Sequence, residues 1–186
     1  KDSRVLYEAL VAIRKIGDRA AGPEISFLLR DLDEDVQVAA IDATGYLQNR
    51  AAAPRLRELM VEGRGKRVKP AALSALAQMP DEADRMLYES RLADQDPAVR
   101  TAAAEGLGRL RRDTDRPTVE AAYEKERKME PRLAAAFAAV ALGNRALSEF
   151  APLRYLMNTL NSAAYRGVAE AYLEELCREA PNRAAV

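Results

Sequence analysis

Histidine and tryptophan are absent from the 186 residues, and cysteine occurs once, at Cys177. Without histidine there is no imidazole base, no Ser-His-Asp arrangement and no histidine-ligated metal. A lone thiol makes no intrachain disulfide and no cysteine metal cluster. With no histidine to activate it, Cys177 reads as an incidental thiol rather than a nucleophile. Net charge is lacking as well: Lys plus Arg and Asp plus Glu each number 29. That balance removes long-range steering toward nucleic acid or an anionic membrane. No apolar run approaches the ~18–20 residues of a membrane span. The sequence opens Lys-Asp-Ser without an initiator methionine, so a leader peptide before Lys1 is compatible with it. A cytoplasmic and an exported location both fit.

What is present is a rhythm. The pattern Val-x-x-x-Ala-x-x-Ala starts at Val5, Val36, Val68, Val99 and Leu133, with a weaker copy from Tyr165. Each unit is too small to bury its own apolar face, so such a period signals stacked helix pairs. In residues 33–63, Asp33, Glu34 and Asp35 supply N-cap and first-turn carboxylates. Val36, Ala39, Ala40, Ala43, Thr44 and Leu47 then form a helical stripe whose small residues admit a close neighbour. Pro54 opens the second helix, where its missing N–H costs nothing. Leu56, Leu59 and Met60 give that helix its buried face. Pro23, Pro117 and Pro152 recur at equivalent places, and Asp96-Pro97 repeats the cap-then-proline start of a first helix. Strand-like alternation is missing throughout, so the expected fold is all-α.

The segments from Asp94 to Gly108 (Asp-Gln-Asp-Pro-Ala-Val-Arg-Thr-Ala-Ala-Ala-Glu-Gly-Leu-Gly) and from Ala53 to Leu59 (Ala-Pro-Arg-Leu-Arg-Glu-Leu) resemble HEAT repeats. They are closest to the bacterial phycobilisome-lyase HEAT-like type, and the resemblance runs the length of the chain. Repeats three and five depart from it: Lys69-Pro70 replaces the usual basic residue and its neighbour, and Gly143 falls one position late. The resemblance implies one domain over residues 1–186, a right-handed α-solenoid of about five and a half antiparallel helix pairs. The repeats span residues 2–32, 33–64, 65–93, 94–128 and 129–161, followed by a capping helix over 162–180. An array that continues before Lys1 is compatible with this reading, and the sequence leaves that open. The resemblance also implies a non-catalytic scaffold that binds a protein or peptide on a concave face lined by second helices. Iron-dependent hydroxylases of this fold use His-Glu pairs and its DNA glycosylases use tryptophans; this chain has neither residue type.

Several clusters carry candidate chemistry. Asp31-Leu32-Asp33-Glu34-Asp35 lacks the glycine and distal glutamate of a calcium loop and reads as a helix cap. Gly106-Leu107-Gly108 lacks the third glycine of a dinucleotide loop and reads as close helix packing. No cofactor is expected. Arg64, Lys66, Arg67 and Lys69 concentrate positive charge in one turn and are the candidate anion site, the alternative being phosphate or nucleic-acid binding. Without interleaved aromatics, a solvated turn is the simpler reading of that cluster. Stepping by one period along the second helices gives Ser26, Arg57, Tyr88, Glu120 and Arg154 or Tyr155, flanked by Arg30, Arg91, Tyr123 and Asn158. Tyrosine and arginine dominate many binding surfaces, so this ladder is the expected partner site.

Overall fold

Three aspartates set the helix starts. Asp2, Asp33 and Asp96 have extended backbones, and each side chain accepts an amide hydrogen bond from the first helical turn. The computed structural model describes residues 2–178. Among them the regular structure is eleven α-helices and four short 3-10 turns, with no strand. The expected all-α class is met, and the expected end of the last helix at residue 180 lies outside the described residues.

The chain divides into two compact units between Asp84 and Arg85. The first holds α1 (Ser3–Ile16), α2 (Ala21–Glu24), α3 (Glu34–Tyr46), α4 (Ala53–Glu62) and α5 (Val68–Gln78). The second holds α6 (Arg85–Arg91), α7 (Pro97–Leu110), α8 (Arg116–Lys125), α9 (Met129–Ala141), α10 (Pro152–Thr159) and α11 (Arg166–Cys177). Prolines 54, 117 and 152 lie in the first turns of α4, α8 and α10. Pro23 starts no full helix: α2 has four residues and yields to a 3-10 turn at Ser26–Arg30.

In the first unit α3 packs between α1 and α5, and α4 covers α5. In the second, α9 is the hub, touching α7, α8, α10 and α11. All eight residues from Leu133 to Val140 are buried. Two first-helix pairs meet glycine against alanine. A Cβ on Gly45 would stand 2.8 Å from the Ala75 Cα, and one on Gly108 would stand 2.8 Å from the Ala138 Cα.

Those two contacts correct the fifth repeat. Ala75 lies seven residues after Val68, and Ala138 makes the same contact seven residues after Pro131, so the repeat begins at Pro131, not Leu133. α9 is apolar on every side, which lets the pattern match in either register. From Pro131, Gly143 also falls into place. Gly17, Gln48, Arg111 and Gly143 each follow a repeat start by twelve residues, and all four have positive φ. They form one left-handed column that ends the first helices. The two non-glycine members also reach forward: Gln48 Nε2 donates to the Gln78 carbonyl at 2.8 Å, and Arg111 Nη1 to the Ala141 carbonyl at 3.2 Å. Pro80 holds the column position in the third repeat, and its ring excludes positive φ.

Candidate binding surface

Most of the expected ladder is spent on internal contacts. Tyr88 is 0% exposed. Its ring fills the space left by Gly106, where a Cβ would stand 2.6 Å from ring carbons. That burial corrects its reading as a surface contact: α6 turns this position toward α7. Tyr123 is 5% exposed, and its hydroxyl donates to the Phe150 carbonyl at 2.9 Å. Its ring meets Tyr155 edge-on at 5.7 Å, with the Arg132 guanidinium 5.0 Å from the Tyr123 ring centre and 4.7 Å from that of Tyr155. Burial pushes both tyrosine hydroxyls above the ordinary phenol range, with Arg132 opposing.

The polar members are similarly engaged. Arg57 forks onto the buried Asp84 carboxylate at 2.6 and 3.0 Å. Ser26 accepts from Asn49 and donates to the Gly22 carbonyl. Arg91 pairs with Asp94, and Glu120 accepts from Asn144 at 2.7 Å. Arg154 and Asn158 are exposed on α10, and Arg30 is exposed at the end of its 3-10 turn. The second-helix column therefore holds the fold from Ser26 through Glu120 and faces solvent at Arg154, which its residue types alone do not reveal.

The basic turn is exposed at Arg64, Lys66, Arg67 and Lys69, but its charge is partly neutralised. Arg67 pairs with Asp35 at 2.5 Å, and Glu34 accepts the Arg67 amide at 2.9 Å. The Asp35 hydrogen bond raises the Arg67 pKa. Arg67 also lines a recess of about 450 Å³ with Ser3, Arg4, Tyr7, Asp33 and Asp35. The aspartates 31, 33 and 35 do not gather around a cation position: Asp31 and Asp33 accept backbone amides at 3.0 Å, as a cap does. The Val36 and Ser3 hydrogen bonds hold the Asp33 carboxyl below the usual range.

Concave space lies instead between the repeat turns and the ends of second helices. In the first unit a cleft of about 670 Å³ is lined by residues of both charge signs, Arg30, Arg55 and Arg64 with Asp31, Glu34 and Glu62. Leu59 and Gln37 contribute to its lining, and Leu32 is fully exposed at its rim. In the second unit a cleft of about 510 Å³ is bounded by Leu92, Asp94, Arg100, Thr118, Ala122, Lys125 and Glu126. The two occupy the same place in the repeat: Asp31 corresponds to Asp94, Gln37 to Arg100, Leu59 to Ala122 and Glu62 to Lys125. Compared with protein-family models and with curated proteins, the chain has no significant match.

The clefts differ in charge state. Arg100 forks onto Glu126 at 2.6 and 3.2 Å and donates to the Asp94 and Gln95 carbonyls. Glu126 also accepts the Arg127 and Lys128 amides at 2.8 Å. Chiefly because of Arg100, the Glu126 pKa falls to about 2. In the first unit Gln37 stands where Arg100 does and donates to the Leu29 carbonyl. Arg30 and Arg64 are the expected residues that the structure brings to this cleft. Gln37, Arg55, Leu59 and Lys125 were missed, although a comparison of the repeats at the residue after each Val36-type start would have paired Gln37 with Arg100.

Proposed function

We propose that the chain is a non-catalytic interaction module of the HEAT-like class, a right-handed α-solenoid that holds an extended protein or peptide segment in clefts along its second helices. The single observation behind this reading is the recurrence of a cleft at an equivalent repeat position in each unit. Repetition of a concave surface, with different side chains at each step, is how stacked-repeat proteins read extended partners. The first cleft mixes both charge signs with Gln37 and Leu32, which suits a peptide backbone flanked by charged side chains. Among the described residues no helix is long and apolar enough to cross a membrane. Phosphate or nucleic-acid binding through Arg64, Lys66, Arg67 and Lys69 is the weaker reading, because Arg67 is already paired with Asp35.

Selection from a displayed peptide library tests the reading. Enriched peptides are expected to bind the parent and to bind Arg30→Glu/Arg64→Glu about tenfold more weakly, by fluorescence anisotropy. A peptide that binds both proteins equally tightly would remove the first cleft as a site.

A further inference from the structure

Among the described residues, three arginines have an enclosed Nε with no hydrogen-bond partner: Arg55, Arg91 and Arg132. Arg55 and Arg91 place an outer nitrogen on a carboxylate, Glu58 at 2.8 Å and Asp94 at 3.3 Å. No carboxylate among the described residues pairs with Arg132. Its guanidinium lies instead against the rings of Tyr123 and Tyr155, with the Tyr123 hydroxyl beside it. That hydroxyl is neutral and gives its proton to the Phe150 carbonyl. Ring faces attract a cation but leave its N–H groups unanswered. Arg132 is part exposed while its Nε is enclosed, so the two Nη nitrogens are the donors left to solvent.

The preceding repeat holds a carboxylate at the same place. Arg100 and Arg132 each follow a repeat start, Val99 and Pro131. Arg100 is met by Glu126, the residue that closes α8, in a two-pronged fork at 2.6 and 3.2 Å. The residue that closes α10 is Leu160. Glu126 and Leu160 each stand five residues before the next start, Pro131 and Tyr165. Arg166 bears out that count: its Nε donates to the Leu160 carbonyl six residues back, as Arg100 Nη1 donates to that of Asp94. This repeat therefore keeps the arginine and replaces its carboxylate with an apolar side chain. A cation partly removed from water gains most from a partner that brings the opposite charge and accepts its N–H groups.

We propose that Arg132, flanked by Tyr123 and Tyr155, binds a carboxylate side chain of a peptide partner, which takes the place that Glu126 takes on Arg100. The incoming carboxylate meets the two Nη nitrogens end-on. The exposed residues beside Tyr155 on α10, Arg154 and Asn158, are positive and neutral. This site rests on the peptide-binding reading for its class of partner. Its residues all belong to the second unit, so a failure at Arg132 is distinguishable from a failure of the first cleft.

Heteronuclear NMR of the arginine side chains in the full chain tests the site, with Arg132→Lys assigning the signal. The probe is the terminally blocked tripeptide Ala-Glu-Ala; Ala-Gln-Ala and inorganic phosphate at matched ionic strength are the other arms. Ala-Glu-Ala is expected to shift the Arg132 signal saturably, and the other two to bind at least about tenfold more weakly. Leu160→Glu supplies the carboxylate from within the chain. It should abolish the response in a protein whose circular dichroism is unchanged. An Arg132 signal that no probe moves would overturn the proposal and leave the guanidinium a purely structural stack. An equal response to Ala-Gln-Ala or to phosphate would overturn the carboxylate assignment, and a response that survives Leu160→Glu would overturn the position.

Discussion

Gly106 occupies a column that elsewhere holds Ala12, Ala43 and Ala75, and the missing methyl is what seats Tyr88. A Cβ at Gly106 would stand 2.6–2.7 Å from three atoms of a ring that has no exposed surface to retreat to. Gly106→Ala is therefore expected to destabilise the fold by roughly 1–3 kcal/mol through overpacking, measured as a lower urea midpoint at unchanged slope. Helix propensity works the other way, by about 1 kcal/mol in favour of alanine, so the net loss isolates the clash. Tyr88 also shows where residue identity misleads. Tyrosine at a second-helix position suggests a contact residue, but the deciding fact is the glycine on the neighbouring helix. That pairing is a tertiary relation, and periodicity along one helix carries no trace of it.

Helix ends hold the strongest electrostatics. Glu126 closes α8 and accepts four hydrogen bonds, two from Arg100 and two from backbone amides. Its folded pKa of about 2 lies below the ordinary 4.5. The stability it contributes is thus fully present above about pH 4.5 and is lost as pH falls toward 2. Glu126→Gln should cost about 1–2 kcal/mol at neutral pH. The gap between parent and variant, followed by urea unfolding across that range, should close as pH approaches 2. A similar tie joins α11 to α7 within the second unit. Arg109 forks onto Glu175, and the buried Tyr172 hydroxyl donates to Glu105 at 2.6 Å. Burial first, and then the Glu105 charge, hold that hydroxyl well above the ordinary phenol pKa.

Across the whole molecule, the all-α class, the helix starts at Asp33 and Asp96 and the first-turn prolines were legible because they rest on local chemistry. A cap needs only an oxygen near three amides, and both are set by neighbouring residues. The register of α9 was not legible, since an alanine-rich helix apolar on every side satisfies the repeat pattern twice. The clefts were not legible either, because Arg30, Gln37 and Arg55 converge from separate segments. Burial is also uneven, from the enclosed α9 to α1, whose only fully buried residue is Leu10. Hydrogen exchange by mass spectrometry is expected to be slowest in α9 and fastest, among the first helices, in α1.

The left-handed residues at Gln48 and Arg111 have an implication for chain length. Each stands three residues beyond a glycine that touches an alanine of the next first helix, and each lends its side chain to that helix's last carbonyls. Excising the stretch from Gln48 to Leu110 would bring Gly45 up to Ala138, with Arg111 still placed to reach Ala141. Recombination between such matched seams would change the number of repeats while leaving every junction chemically familiar.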